Sequence, residues 1–271
     1  GYTTTAIHPY YGSGWNRNTV YPLLGFDNMI FKDAFTAPKK IRNYISDESA
    51  FEKIIDLYEE KGTDEKLFAF EVTMQNHGGY SKDTDDFRES VYLTDELNQG
   101  IQVRAAEKYL TLIQKSDEAF KELVEYFEKQ KEPTIILMFG DHQPSDYITN
   151  VILRELDLDR DESQDVYFDN YIVPYIMWSN YDMDTTQVEN ISLNYLSGLL
   201  MEKAGIGLTG YQQFLKDMQA ELPVITANMV MEADGDREPE KDVQSEWIEN
   251  YNKLVYNHLC DKTGKLSGFF E

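Results

Sequence analysis

Hydrophobic residues in this chain fall into short continuous runs, separated by longer stretches in which they recur every three or four positions. The runs predict strands. Tyr2–Ile7 (YTTTAI) is rich in β-branched residues and stops at His8-Pro9. Leu67–Thr73 (LFAFEVT) stops at the polar and glycine-rich stretch Met74 to Gly79, and Thr134–Phe139 (TIILMF) stops at Gly140-Asp141-His142. A fourth run, Ile172–Trp178, contains Pro174, which suits a sheet edge better than a sheet centre.

The periodic stretches predict helices. Ser46 is placed to cap Asp47–Lys61, where Phe51, Ile54, Ile55 and Tyr58 share one face and Gly62 gives the stop. Further helices are predicted over about residues 101–130, 192–204 and 242–259, whereas residues 208–235 show no clear period. Strands alternating with helices predict an α/β fold: a largely parallel sheet flanked by helices.

Length alone allows one large domain or two small ones, and no apolar run approaches the roughly 18 residues that would predict a membrane span. The first residues carry neither the basic start nor the apolar run of a signal peptide. A non-Met first residue followed at once by strand-like sequence predicts a piece of something longer. The net charge of −24 argues against nucleic acid, whose phosphates need clustered Lys and Arg, and against a general pull toward anionic lipid. An anionic substrate remains compatible if a metal or a local Arg reverses the field in one pocket. The one cysteine, Cys260, excludes an internal disulfide and a CxxC-type zinc site.

Three of the four histidines, His8, His77 and His142, follow predicted strands, and loops leaving the carboxyl ends of parallel strands line the edge where ligands bind. The fourth, His258, reads as structural or surface. Asp141 and His142 offer a hard oxygen and a borderline nitrogen, a pair that suits Mn²⁺ or Zn²⁺. The same tripeptide also reads as a plain turn, with Asp141 capping the backbone and His142 exposed. Arg17 has a fork suited to two phosphate or sulfate oxygens and Trp15 gives a flat apolar wall. On spacing alone they read as a surface Arg and a core-filling Trp.

In order along the chain, His8 to Trp15-Asn16-Arg17, Leu24-Gly25-Phe26-Asp27, Asn76-His77, Gly140-Asp141-His142 and Ala204-Gly205-Ile206 resemble the motifs of lipoteichoic acid synthases and related phosphoglycerol transferases. These have a sulfatase-like domain of the alkaline phosphatase superfamily. The resemblance covers about residues 1–210 and implies the fold of that superfamily, incomplete at the N-terminus. Residues 1–271 would form the C-terminal part of one catalytic domain, with 208–271 as an extension. It also implies roles: Asp141 and His142 as two ligands of a divalent cation, commonly Mn²⁺ with Zn²⁺, Mg²⁺ and Ca²⁺ as alternatives. His77 would be catalytic and contact the phosphoryl group, and His8, Trp15 and Arg17 would bind the headgroup beside it.

Tyr10 departs from the pattern, which has a short Asp or Asn there. The family's Thr nucleophile and an additional Glu ligand lie upstream of the block that begins at His8, so the resemblance implies an incomplete metal site, an inactive piece, and a partner in the upstream half of its own domain. The substrate implied is a phosphatidylglycerol-like or other anionic headgroup at the extracellular face of the bacterial cytoplasmic membrane. A sulfatase or phosphoethanolamine transferase of the same superfamily, and a non-catalytic binding or scaffold domain, are the competing readings.

Overall fold

Thr and Ile residues that cannot form a comfortable helix start the chain as strand β1 (Tyr2–His8), whose last four residues are buried. In the computed structural model, which describes all residues except 95–99, 157–167, 187, 189, 241–242 and 271, the chain divides into two compact units. The first is Gly1–Glu132 with Gln143–Arg160, and the second is Pro133–His142 with Asp161–Glu271.

In the first unit β1 is the centre of a parallel sheet, between β2 (Asn28–Phe31) and β5 (Lys66–Glu71). Ile7 on one face of β1 packs with Phe35 and Ile45, and Ile54, Leu57 and Ala69 close over them. The other face is aromatic: Tyr21 stacks on Phe31, and Phe26 on Phe70 at 5.9 Å between ring centres. Between β2 and β5 lie a hairpin, β3 (Lys40–Ile41) and β4 (Tyr44–Ile45), and helix α2 (Asp47–Glu60). A short helix α1 (Arg17–Leu23) precedes β2. The long helix α3 (Ile101–Phe127) packs against α2 and against α4 (Asp146–Glu155), where Ala105 and Ala106 meet Ile148 and Val151.

Ser46 caps α2 as the sequence predicts, its hydroxyl accepting from the Ser49 amide at 3.2 Å. The next residue, Asp47, is buried. Its carboxylate accepts the Ser116 hydroxyl of α3, and its amide donates to Gln75 Oε1 at 3.0 Å. Asn76 Nδ2 donates to the same Ser116 oxygen at 2.8 Å. This chain of bonds ties the start of α2, the middle of α3 and the segment after β5 to one another.

The second unit contains β6 (Ile135–Phe139) and β7 (Tyr175–Ser179). Here the detail differs from the expected continuation of a buried parallel sheet. The strand β6 is half-buried, its last residue exposed, and it pairs antiparallel with β7 in a two-stranded sheet. The ladder is closed at both ends: Gly140 N–H donates to Pro174 O, and Thr134 N–H to Asn180 Oδ1 at 2.8 Å. Pro174 sits just outside β7, where its missing N–H costs nothing.

The core of this unit gathers Tyr195, Leu215, Met218, Leu222, Val230 and Ile248. They lie on α5 (Leu193–Lys203), α6 (Gly210–Glu221) and the residue after it, α7 (Glu246–Leu259) and β9 (Met229–Met231), which is the middle strand of an antiparallel sheet with β8 (Val224–Ile225) and β10 (Arg237–Pro239); a last helical turn is α8 (Ser267–Phe270). The aperiodic stretch 208–235 therefore holds a helix and two short strands. No described helix is long and apolar enough to cross a membrane.

Glu71, the last residue of β5, has both carboxylate oxygens buried, and no described residue hydrogen-bonds them. Burial, with the Asp47 charge nearby, pushes its carboxyl well above the ordinary range; burial also raises Asp47, against the bonds it accepts. The folded chain therefore holds protons on these groups that the unfolded chain has lost. Their contribution to stability is full below the ordinary carboxyl value and falls as pH rises toward the folded value. Glu71→Gln should raise the melting temperature at about pH 8 by ~3 °C or more, the shift that ~1 kcal/mol produces at this chain length, and much less at about pH 4. A thermal melt at the two pH values checks this; an equal effect at both would contradict it.

Candidate functional site

The site builds outward from the carboxyl end of β1. His8 is fully buried, and its Nδ1–H donates to the Val72 carbonyl at 2.8 Å. That bond fixes the tautomer with the lone pair on Nε2. Nε2 is buried, and no described residue bonds it. Burial, opposed by the Val72 bond and aided by the Arg17 charge, holds the His8 imidazole below its ordinary value. His8 is thus a neutral ring offering an acceptor.

Gly14 lies over that acceptor: a Cβ there would stand 3.3 Å from the Tyr10 ring and 3.9 Å from His8 Nε2. The following Trp15 and Asn16 both have left-handed backbone, φ 51° and 55°. Two successive non-glycine residues in that region cost on the order of 1 kcal/mol each, a strain that concentrates at functional sites. The result is a Trp15 that is 57% exposed, its ring edge-on to His8 at 5.8 Å and to His77 at 5.7 Å. Arg17 lies across it, the guanidinium carbon 5.3 Å from the Trp15 ring centre, with Nη1 donating to the Tyr21 hydroxyl and Nε buried without a described partner.

The spacing-only reading of this pair is corrected. Trp15 is the exposed wall and Arg17 is the half-buried residue, because the left-handed pair turns the Trp side chain outward.

His77 enters from the turn after β5. Its ring is 6.0 Å from that of Tyr44, and the Tyr44 hydroxyl lies 3.5 Å from His77 Nδ1. Tyr10 completes the group, its ring 6.0 Å from His8 and 6.1 Å from Tyr44. The structure thus brings His8, Trp15, Arg17 and His77 together and adds Tyr10 and Tyr44. Sequence reasoning passed over Tyr44. Its signal was the sequence Ile41-Arg42-Asn43-Tyr44-Ile45, strand-type residues around an Asn-containing pair at two-residue hairpin spacing. Together these residues make a cup with one cation, aromatic walls and the exposed His77 imidazole, set over the buried ring of His8, an arrangement suited to a small anion with a carbon part.

Asp141 and His142 follow β6 in the second unit. Their side chains are each 76% exposed, with Asp141 Oδ2 3.7 Å from His142 Nε2. The His142 amide donates to Asp141 Oδ1 at 2.9 Å, so the turn geometry of the plainer reading is present. It leaves a carboxylate and an imidazole adjacent at the surface, a donor set that fits two positions around a divalent cation. Among the described residues, no group of three or more His, Cys, Asp or Glu could hold a metal ion. His258 is exposed, its ring tilted against that of Phe270 with centres 4.3 Å apart, a surface contact.

With this geometry in hand, comparison with known proteins gives a consistent answer. A family model described as "Sulfatase" matches residues 1–206, and the chain belongs to that family. It is 27% identical over 284 aligned residues to a Rhizobium meliloti (strain 1021) protein described as "Putative cyclic beta-1,2-glucan modification protein", covering 100% of this chain and 43% of that one. It is 26% identical over 165 residues to lipoteichoic acid synthase 1 of Bacillus subtilis (strain 168), covering 58% of this chain and 24% of that one. Among solved structures it is similar to the Streptococcus pyogenes phosphoglycerol transferase GacH in complex with sn-glycerol-1-phosphate: TM-score 0.69, 19% identity, covering 100% of this chain and 65% of that one. Its fold is also similar to that of a Vibrio parahaemolyticus protein in the alkaline phosphatase superfamily, with TM-score 0.57 and 14% identity, covering 100% of this chain and 67% of that one. The chain spans less than half the length of these curated relatives.

His8 should titrate below the ordinary imidazole value of about 6.5. As pH falls through that value the unfolded chain takes up a proton that folded His8 refuses, so this contribution to stability is present above it and lost below. NMR of ¹⁵N-histidine-labelled protein checks this; His8 is expected to titrate below a free imidazole, with its neutral ring protonated on Nδ1, and a His8 that charges at or above the free-imidazole value would contradict it.

Proposed function

We propose that this chain is the headgroup-binding part of a metal-dependent phosphoglycerol transferase, which moves a glycerophosphate unit from a lipid-linked donor in the making or modifying of a cell-envelope polymer. The observation that carries the reading is the convergence of His8, Trp15, Arg17 and His77 in one cup. The similarity to a transferase complexed with sn-glycerol-1-phosphate supports it.

In this reading Arg17 and His77 hold the phosphoryl oxygens, the first by permanent charge and the second by an imidazole N–H. Trp15 packs against the glycerol carbons, and His8, buried beneath Gly14 and Trp15, backs the wall they form. Because His8 is held neutral, the positive charge in the cup comes from Arg17, which limits how strongly a free dianion competes with a singly charged phosphodiester. A divalent cation, Mn²⁺ first, held in part by Asp141 and His142, would draw charge from the phosphoryl group and activate an attacking hydroxyl. No residue of this chain is assigned as the nucleophile. The whole protein would work at the extracellular face of the bacterial membrane, where lipid headgroups and envelope polymers meet.

The test uses the whole protein with phosphatidylglycerol vesicles. Release of diacylglycerol is expected, abolished by a chelator and restored by Mn²⁺. Arg17→Ala and Asp141→Ala should each lower turnover by about 100-fold or more, the scale for losing a group that stabilises transition-state charge. Release of sulfate from aryl sulfates without lipid turnover would overturn the proposal in favour of a sulfatase. Turnover insensitive to Asp141→Ala would remove the metal assignment.

A further inference from the structure

The hairpin β3–β4 has a turn that its sequence makes expensive. Its two central residues, Arg42 and Asn43, have φ 55° and 69°, the left-handed pair that a two-residue hairpin turn demands. Asn tolerates this conformation, whereas Arg does so at a cost of roughly 1 kcal/mol. The Arg42 side chain then folds inward and is 6% exposed. It forms no ion pair among the described residues. Instead Nη2 donates to the carbonyl oxygens of His77 at 3.2 Å and Gly78 at 3.1 Å, and the guanidinium lies over the Tyr80 ring at 4.8 Å. The Tyr80 hydroxyl in turn donates to the Asn76 carbonyl. Gly79, at φ 99°, lets the turn pass the guanidinium, a Cβ there standing 3.7 Å from Nη2. Two residues after Arg42, Tyr44 presents its hydroxyl to His77 Nδ1.

We propose that this hairpin is the positioning device for His77: Arg42 clamps its backbone turn, and Tyr44 O–H donates to Nδ1, so that the ring's proton sits on Nε2 and faces away from Tyr44 as a donor to an anionic ligand. The direction of the Tyr44 bond follows from chemistry, since a neutral imidazole nitrogen is a far better acceptor than a phenol oxygen. The 3.5 Å separation is long for a hydrogen bond, as such contacts often are before a ligand is bound. Neither residue has to touch substrate for this, and neither belongs to the motifs that carry the family resemblance.

The inference rests on the phosphoglycerol reading for what His77 does, but its test does not. ¹⁵N-histidine NMR of the free chain should show His77 with the Nε2–H tautomer dominant. Tyr44→Phe should move it toward an even mixture while leaving the melting temperature within a degree or two, a change that a merely structural tyrosine would not cause. Arg42→Lys keeps the charge and loses the fork. It should raise amide exchange in the turn 76–80 by about tenfold and leave exchange in β1 and β5 unchanged. His77 predominantly in the Nδ1–H tautomer, or a tautomer balance indifferent to Tyr44→Phe, would overturn the proposal. So would an Arg42→Lys chain whose turn exchanges like the parent's. The expected tautomer result, together with no lipid turnover by the whole protein, would sink the phosphoglycerol reading alone.

Discussion

The first unit depends on one buried junction, the carboxylate of Asp47 meeting the Ser116 hydroxyl. Burial favours the neutral carboxyl of Asp47, and two bonds fix the residue in place: the Ser116 hydroxyl of α3 donates to its side chain, and its own amide donates to Gln75 after β5. Because Asn76 donates to the same serine, the residue before His77 is tied to α3. The cup is therefore set on rigid supports, although most of its residues lie in loops. On one side the hairpin and Ser46 lead directly into Asp47; on the other, β5 ends at Glu71, whose buried carboxyl stands near that of Asp47.

Strain and close approach are spent around the cup and relieved a few residues away. Left-handed backbone at Trp15 and Asn16 exposes the indole, and left-handed backbone at Arg42 and Asn43 buries the guanidinium. In both places a residue sits in a conformation that it resists, and the side chain ends beside His77 or its turn. The strongly acidic chain thus reserves two arginines, Arg17 and Arg42, for the neighbourhood of one imidazole. Arg17 is placed to act on a ligand and Arg42 on the polypeptide.

Much of this was legible in the sequence. The β-branched start, the Ser46 cap and the Leu67 run gave β1, α2 and β5, and their strand ends located His8 and His77. What was not legible depended on residues whose neighbours are distant in the chain. The antiparallel pairing of β6 with β7 rests on Asn180 closing the ladder at Thr134, which no local pattern reveals. Residues 208–235 had no period because α6 buries few apolar side chains and its following strands are two and three residues long. Trp15 misled spacing because an indole usually fills a core, and only the positive φ values turn it outward. Arg42 lies in a two-residue turn and Tyr44 in a two-residue strand, both too short to register as elements.

In the function proposed above, the cup formed by His8, Trp15, Arg17 and His77 holds a glycerophosphate headgroup. A crystal structure of the chain soaked with sn-glycerol-1-phosphate tests it most directly. The phosphate is expected between Arg17 and His77, with the glycerol carbons against the exposed Trp15 ring. A ligand bound elsewhere on the chain, with the cup holding only solvent, would contradict it.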